Sequence, residues 1–91
     1  MPVHNTPEER QIIKLITKFP GKPEDHQHWI DAIQNGGLTE DVAEEIRLFL
    51  VTPPEGEAEN DAVTRTRLAM EYVQLVKRWR LAYQSRHFSR R

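Results

Sequence analysis

The side chains that could hold a metal ion in this chain are four histidines and fourteen acidic residues. Asp25 and His28 have the i, i+3 carboxylate-to-histidine spacing of di-iron helical bundles. Such a site needs a second pair and two further glutamates on facing helices, and the sequence does not offer them. His26 and His28 stand two residues apart, so on a helix they face different directions. We therefore expect no metal site, and we predict solvated or half-buried histidines.

Residues 31–42 have the length of a calcium-binding loop between two helices. A hard cation needs oxygen ligands at the third and twelfth positions of that loop, above all a bidentate glutamate at the twelfth. These positions hold Ile33 and Val42. The sequence excludes calcium binding here, and the Gly36-Gly37 pair indicates an ordinary helix end.

The chain offers no group for nucleophilic catalysis. It has no cysteine, which excludes a cysteine nucleophile, a thiolate zinc site and a disulfide scaffold together. Its two serines, Ser85 and Ser89, lie in a basic tail with no nearby carboxylate to orient a base. Neither a glycine-rich phosphate loop nor a zinc-binding helix is present. We predict that the protein has no catalytic residues, binds no cofactor and is not an enzyme.

Two helices joined by Gly36-Gly37 have the outline of a helix-turn-helix, in which the second helix enters the DNA major groove. That helix would present an acidic surface to the phosphates, with Glu40, Asp41, Glu44 and Glu45. Phosphates would repel it. We therefore exclude DNA reading by this pair, and we predict that these carboxylates are a solvated surface.

Helix signals divide the chain into four segments. Thr6 and Glu9 form a capping box with proline at the first helical position, and Thr39 is typical of another N-cap. We predict one all-α domain over residues 1–91, with three short helices packed on one long C-terminal helix. The expected bounds are 7–19, 23–35 and 39–51 for the short helices, 52–60 for an acidic loop, 61–87 for the long helix and 88–91 for a basic tail.

The long helix has one strongly apolar stripe. At 100° per residue its members fall within an arc of about 100°. We predict that this stripe packs on the short helices. It consists of Leu68, Tyr72, Leu75, Val76, Trp79, Ala82 and Tyr83, flanked by Ala69 and Val73.

A second apolar ridge lies on a different side of the same helix. Its members are Val63, Met70, Leu81 and Phe88. Short helices of about half the length of the long one cannot cover both sides of it. Either they wrap around the helix, or the ridge meets another chain, or it consists of scattered exposed residues, which are common on soluble proteins. We take the ridge as the candidate protein interface.

Charge is unevenly distributed along the chain. Residues 1–61 carry a net charge of −8 and residues 62–91 a net charge of +7. Either the two halves neutralise each other in the fold, or the basic half faces an acidic partner. The candidate anion or nucleic-acid contacts are Arg65, Arg67, Lys77, Arg78, Arg80, Arg86, Arg90 and Arg91.

Arginines interleaved with Trp79, Tyr83 and Phe88 have the composition that suits RNA binding. Trp79 and Tyr83, however, belong to the predicted core stripe, which would remove most of the stacking surface. We therefore predict a small protein-interaction module, an adaptor or regulator that forms a homodimer or docks on another protein. The alternative is a nucleic-acid-binding accessory protein. No apolar run is long enough to span a membrane, and we expect a cytoplasmic protein.

Overall fold

The four helices of the computed structural model begin and end close to the local sequence signals. The structure describes residues 4–88, and side chains for residues 4–83. The described residues contain no strand, and the all-α fold class is confirmed. The helices are α1 (Pro7–Ile16), α2 (Pro23–Gly36), α3 (Glu40–Val51) and α4 (Glu59–Phe88).

The predicted caps of the first and third helices are present. The Thr6 hydroxyl accepts from the Glu9 amide at 3.1 Å, and the Glu9 carboxylate accepts from the Thr6 amide at 2.9 Å. Thr39 caps α3 by accepting from the amide of Val42 at 3.2 Å. Each bond satisfies an amide that the first helical turn leaves without a partner.

The first helix ends three residues earlier than predicted. The amides of Lys18 and Phe19 donate to the carbonyls three residues before them, at 2.9 and 3.1 Å, which is the tighter pattern of a 3₁₀ turn. Phe19 precedes Pro20, and the proline ring disfavours the helical conformation of the residue before it. The turn still buries Phe19 in the core.

The long helix packs directly against α1 and α3, while α2 packs against α1 and α3. The core contains buried residues from all four helices, together with Phe19 and Leu38 in the segments that connect them. Its buried apolar residues are Ile12, Leu15, Ile16, Phe19, Trp29, Ile33, Leu38, Ala43, Ile46, Leu50, Leu68, Tyr72, Val76 and Trp79.

Part of the predicted stripe of α4 lies outside the buried core. Tyr83 is 55% exposed, and Val73, which flanks the stripe, is 46% exposed, whereas Leu75 and Ala82 are half-buried. Tyr83 still lies against Trp79, with 6.1 Å between the ring centroids. The buried part of the stripe therefore consists of Leu68, Tyr72, Val76 and Trp79.

His26 is buried, contrary to the prediction of solvated or half-buried histidines. Its ring is stacked on Trp29 and meets Phe19 and Phe49 edge to face. Its Nε2 donates to the carbonyl of Pro20 at 2.9 Å, while Nδ1 has no hydrogen-bond partner among the described residues. His26 thus acts as an aromatic core residue that fixes the turn between α1 and α2.

Candidate interaction surface

The ridge predicted on α4 lies on the side of the helix directly opposite its core face. Val63, Met70 and Leu81 are 56%, 67% and 65% exposed. At 100° per residue these three fall within an arc of about 20°, roughly opposite the buried Leu68 and Tyr72. The side chain of Phe88, the fourth predicted member, lies outside the described residues. We call the side of α4 that carries Val63, Met70 and Leu81 the back face.

The back face has a shallow hollow near the start of α4. Its volume is about 440 Å³. The lining residues are Glu59, Ala62, Val63, Thr66, Arg67 and Met70.

Arg65, a predicted anion contact, is held inside the fold. Its guanidinium donates to both oxygens of Glu57, at 2.9 and 3.1 Å, and to the carbonyl of Leu50 at 2.7 Å. Both side chains of this ion pair are largely buried. The hydrogen bonds that Arg65 donates to Glu57 raise the pKa of Arg65. This arginine ties the loop between α3 and α4 to the end of α3, so it is not open to a ligand.

Arg80 is also paired within the fold. It makes a bidentate contact with Glu40 at the start of α3, with distances of 3.0 and 2.7 Å. The hydrogen bonds from Arg80 hold the pKa of the Glu40 carboxyl below its ordinary value. Two basic residues of the C-terminal half are therefore neutralised by the acidic half, as one of the two charge hypotheses predicted.

The remaining cations of α4 that the structure describes are exposed: Arg67, Lys77 and Arg78. Arg78 lies in a groove of about 340 Å³ between α1 and α4, where Lys14 and Lys18 form the opposite wall and Glu71 lies beside them. The side chains of Arg86, Arg90 and Arg91 lie outside the described residues.

Lys14 and Lys18 were not among the predicted anion contacts. Lys14 lies on α1 and Lys18 in the 3₁₀ turn that follows it, and on the predicted helix 7–19 their four-residue spacing places two like charges on the same face. That both residues border Arg78 depends on the packing of α1 against α4, which the sequence does not specify. The structure thereby brings together three cations, from α1, from the turn after it and from α4.

No three histidine or acidic side chains converge among the described residues. Of the helices that the structure describes, none is both long and apolar enough to cross a membrane. In comparisons with known proteins, no family model, no curated protein and no solved structure matches this chain.

Proposed function

We propose that this protein is a small, non-enzymatic interaction module of the cytoplasm that self-associates through the back face of α4. The observation that carries the proposal is the alignment of Val63, Met70 and Leu81. Single exposed apolar side chains are ordinary on a protein surface. Three of them aligned opposite the core face of the same helix, with polar residues between them, give the back face exposed apolar area that a partner would remove from water.

A second copy is the occupant that the observations favour. In a two-fold dimer a single patch meets its own copy, so the back face supplies both sides of the interface. The contact is small, and we expect association in the micromolar range rather than an obligate dimer.

Sedimentation velocity between about 5 and 100 µM tests the proposal, because mass action shifts a weak dimer over this range. We expect the wild-type protein to dimerise, and the Met70→Glu, Leu81→Glu double variant to remain a monomer with unchanged helical circular dichroism. Leu48→Glu is the matched control, since Leu48 is also exposed but lies on α3. A wild-type monomer at about 100 µM, or equal dissociation by the control, contradicts the proposal.

A second candidate function is binding of nucleic acid, which the groove between α1 and α4 favours. Lys14, Lys18 and Arg78 present three cations there against the single carboxylate of Glu71. Phosphates bind such a cluster, and the affinity falls steeply with salt.

Fluorescence anisotropy with a generic single-stranded RNA measures this second function. We expect little binding at about 150 mM salt. Submicromolar binding that is lost in the Lys14→Glu, Lys18→Glu, Arg78→Glu variant would favour the nucleic-acid function instead. Lys22→Glu is the control, because Lys22 is an exposed cation away from the groove.

A further inference from the structure

Six positions on the solvent side of α4 follow the alternating four- and three-residue spacing of a coiled-coil seam. All six are exposed in the structure. Their angular drift, about 20° per seven residues, is the drift that a left-handed pair of helices absorbs. We call these positions the seam: Glu59, Val63, Thr66, Met70, Val73 and Lys77.

The seam has a clear end on each side. One step before Glu59 the pattern reaches Gly56, which lies in the loop with a φ of 75°. One step after Lys77 it reaches Arg80, whose guanidinium is held by Glu40. The apolar part of the seam is therefore flanked by one acidic and one basic residue, at opposite ends of a segment about 27 Å long.

We propose that a second copy of α4 packs antiparallel on this seam, with the two-fold axis at the level of Leu68. This inference rests on the proposed self-association and specifies its geometry. Three pairs then face each other on either side of the axis: Val63 with Val73, Thr66 with Met70, and Glu59 with Lys77.

The charges of Glu59 and Lys77 favour this antiparallel register over the alternative pairings. A parallel pair would place Glu59 beside Glu59 and Lys77 beside Lys77, and like charges repel. An antiparallel pair shifted by seven residues in one direction sets Glu59 against Met70, and in the other direction sets Lys77 against Thr66. Only the register centred at Leu68 gives both charged ends an opposite charge.

The hollow on the back face fits this register. Four of the residues that line it, Glu59, Val63, Thr66 and Met70, belong to the seam. With the two-fold axis at Leu68, the Met70 and Val73 side chains of the second copy lie at the level of this hollow. They pack into it in the knobs-into-holes manner of a coiled coil. Leu81 lies beyond the seam, at the edge of the contact, where it faces the loop of the second copy.

Disulfide trapping tests the register, because the chain has no cysteine of its own. Chains carrying Val63→Cys and chains carrying Val73→Cys are mixed and mildly oxidised, and we expect the mixed disulfide. Val63→Cys alone should give no crosslink, since its two copies stand about 15 Å apart along an antiparallel pair, beyond disulfide reach. A Val63→Cys homodisulfide would show a parallel pair or an antiparallel pair centred at Val63, and a disulfide between Met70→Cys and Leu81→Cys chains would show another register. Either result overturns this inference and leaves the self-association standing.

Charge reversal provides the second readout. Glu59→Lys alone and Lys77→Glu alone should each weaken dimerisation about three- to tenfold, and the double exchange should restore it. Asp61→Lys and Arg78→Glu are the matched controls, because they make the same changes of charge at positions outside the seam. Single reversals without effect would overturn the register. A wild-type chain that never dimerises would instead refute the proposed function itself.

Discussion

The hydroxyl of Tyr72, in the middle of α4, donates a 2.6 Å hydrogen bond to the backbone carbonyl of Ala43 in α3. Tyr72 is 2% exposed, and it places a polar atom inside the contact between the two helices. The bond satisfies that atom, because a buried hydroxyl without a partner would destabilise the fold. It also fixes how far α3 can slide along the long helix.

Removing this hydroxyl should destabilise the protein and change its response to alkali. We expect Tyr72→Phe to lower the free energy of unfolding by about 0.5–1.5 kcal/mol at neutral pH. Burial raises the pKa of Tyr72 above its ordinary value of 10.0. The folded state thus favours the neutral phenol. The contribution of Tyr72 to the stability of the fold is present below pH 10, and it is lost as the pH rises toward the pKa of Tyr72 in the folded protein.

Urea unfolding at pH 8 and above pH 10 measures both effects. The wild-type protein should lose more stability over this interval than Tyr72→Phe does, and the exposed Tyr83→Phe is the control. Equal alkaline losses in wild type and Tyr72→Phe would contradict the expectation.

Trp79→Ala should unfold the protein or nearly so. The Trp79 side chain is 7% exposed in the core between α4 and the short helices. Removing a buried indole costs about 3–5 kcal/mol, which approaches the whole stability of a small domain. Thermal unfolding followed by circular dichroism is the measurement, with Leu48→Ala on the exposed side of α3 as the control. A melting temperature lowered by only a few degrees would show that Trp79 contributes little to the core.

Glu9 should make the stability of the fold sensitive to acid. Burial acts to raise the pKa of its carboxyl, but hydrogen bonds from the amides of Leu38 and Thr6 and from Asn5 outweigh burial, and the pKa is lowered. The carboxylate is therefore favoured in the folded state. Its stabilisation is present above the ordinary glutamate pKa of 4.5, and it is lost as the pH falls through the lower folded value.

Glu9→Gln tests this role, because its amide nitrogen cannot accept from the Leu38 or Thr6 amide. We expect a loss of about 1–3 kcal/mol at pH 7 and a flatter stability profile below pH 5, measured by urea unfolding. Glu8→Gln is the neighbouring control. If the stability of Glu9→Gln falls with acid as steeply as that of the wild type, Glu9 is not the source of the acid sensitivity.

Arg65 should protect the loop between α3 and α4 from proteolysis. It holds the Glu57 carboxylate and the Leu50 carbonyl together. In Arg65→Gln we expect a glutamate-specific protease to cleave after Glu57 about three- to tenfold faster, because local opening becomes easier. Mass spectrometry of the digest reports the cleavage, and Arg67→Gln is the control. A cleavage rate unchanged in Arg65→Gln would show that the ion pair does not restrain the loop.

The sequence by itself determined where the helices lie and which way most of them face. Thr6 and Thr39 cap amides three residues away. The apolar residues around Leu68 and Val76 recur about once per helical turn. Such short-range signals depend on neighbouring residues, so they can be recognised without the fold. The predicted helix bounds accordingly differ from the observed ones by at most three residues.

The conformation of the Gly36-Gly37 helix end does not follow from the local sequence. Gly37 has a φ of 81° and a ψ of 165°, a positive-φ conformation that glycine adopts readily and that differs from the left-handed turn in which helices commonly end. The amide of the next residue, Leu38, donates to the carboxylate of Glu9 at 2.8 Å. That carboxylate belongs to α1, so this helix end takes part in a contact between distant parts of the chain.

Only the tertiary structure decided which polar groups meet. Glu9 accepts from Leu38 across 29 residues, and Arg80 reaches Glu40 across 40 residues. These pairings depend on how α1, α3 and α4 are placed relative to each other, and a charge pattern along the chain is compatible with many placements. The exposure of the seam is decided in the same way, because α1 and α3 pack on one side of α4 and leave the other side to solvent.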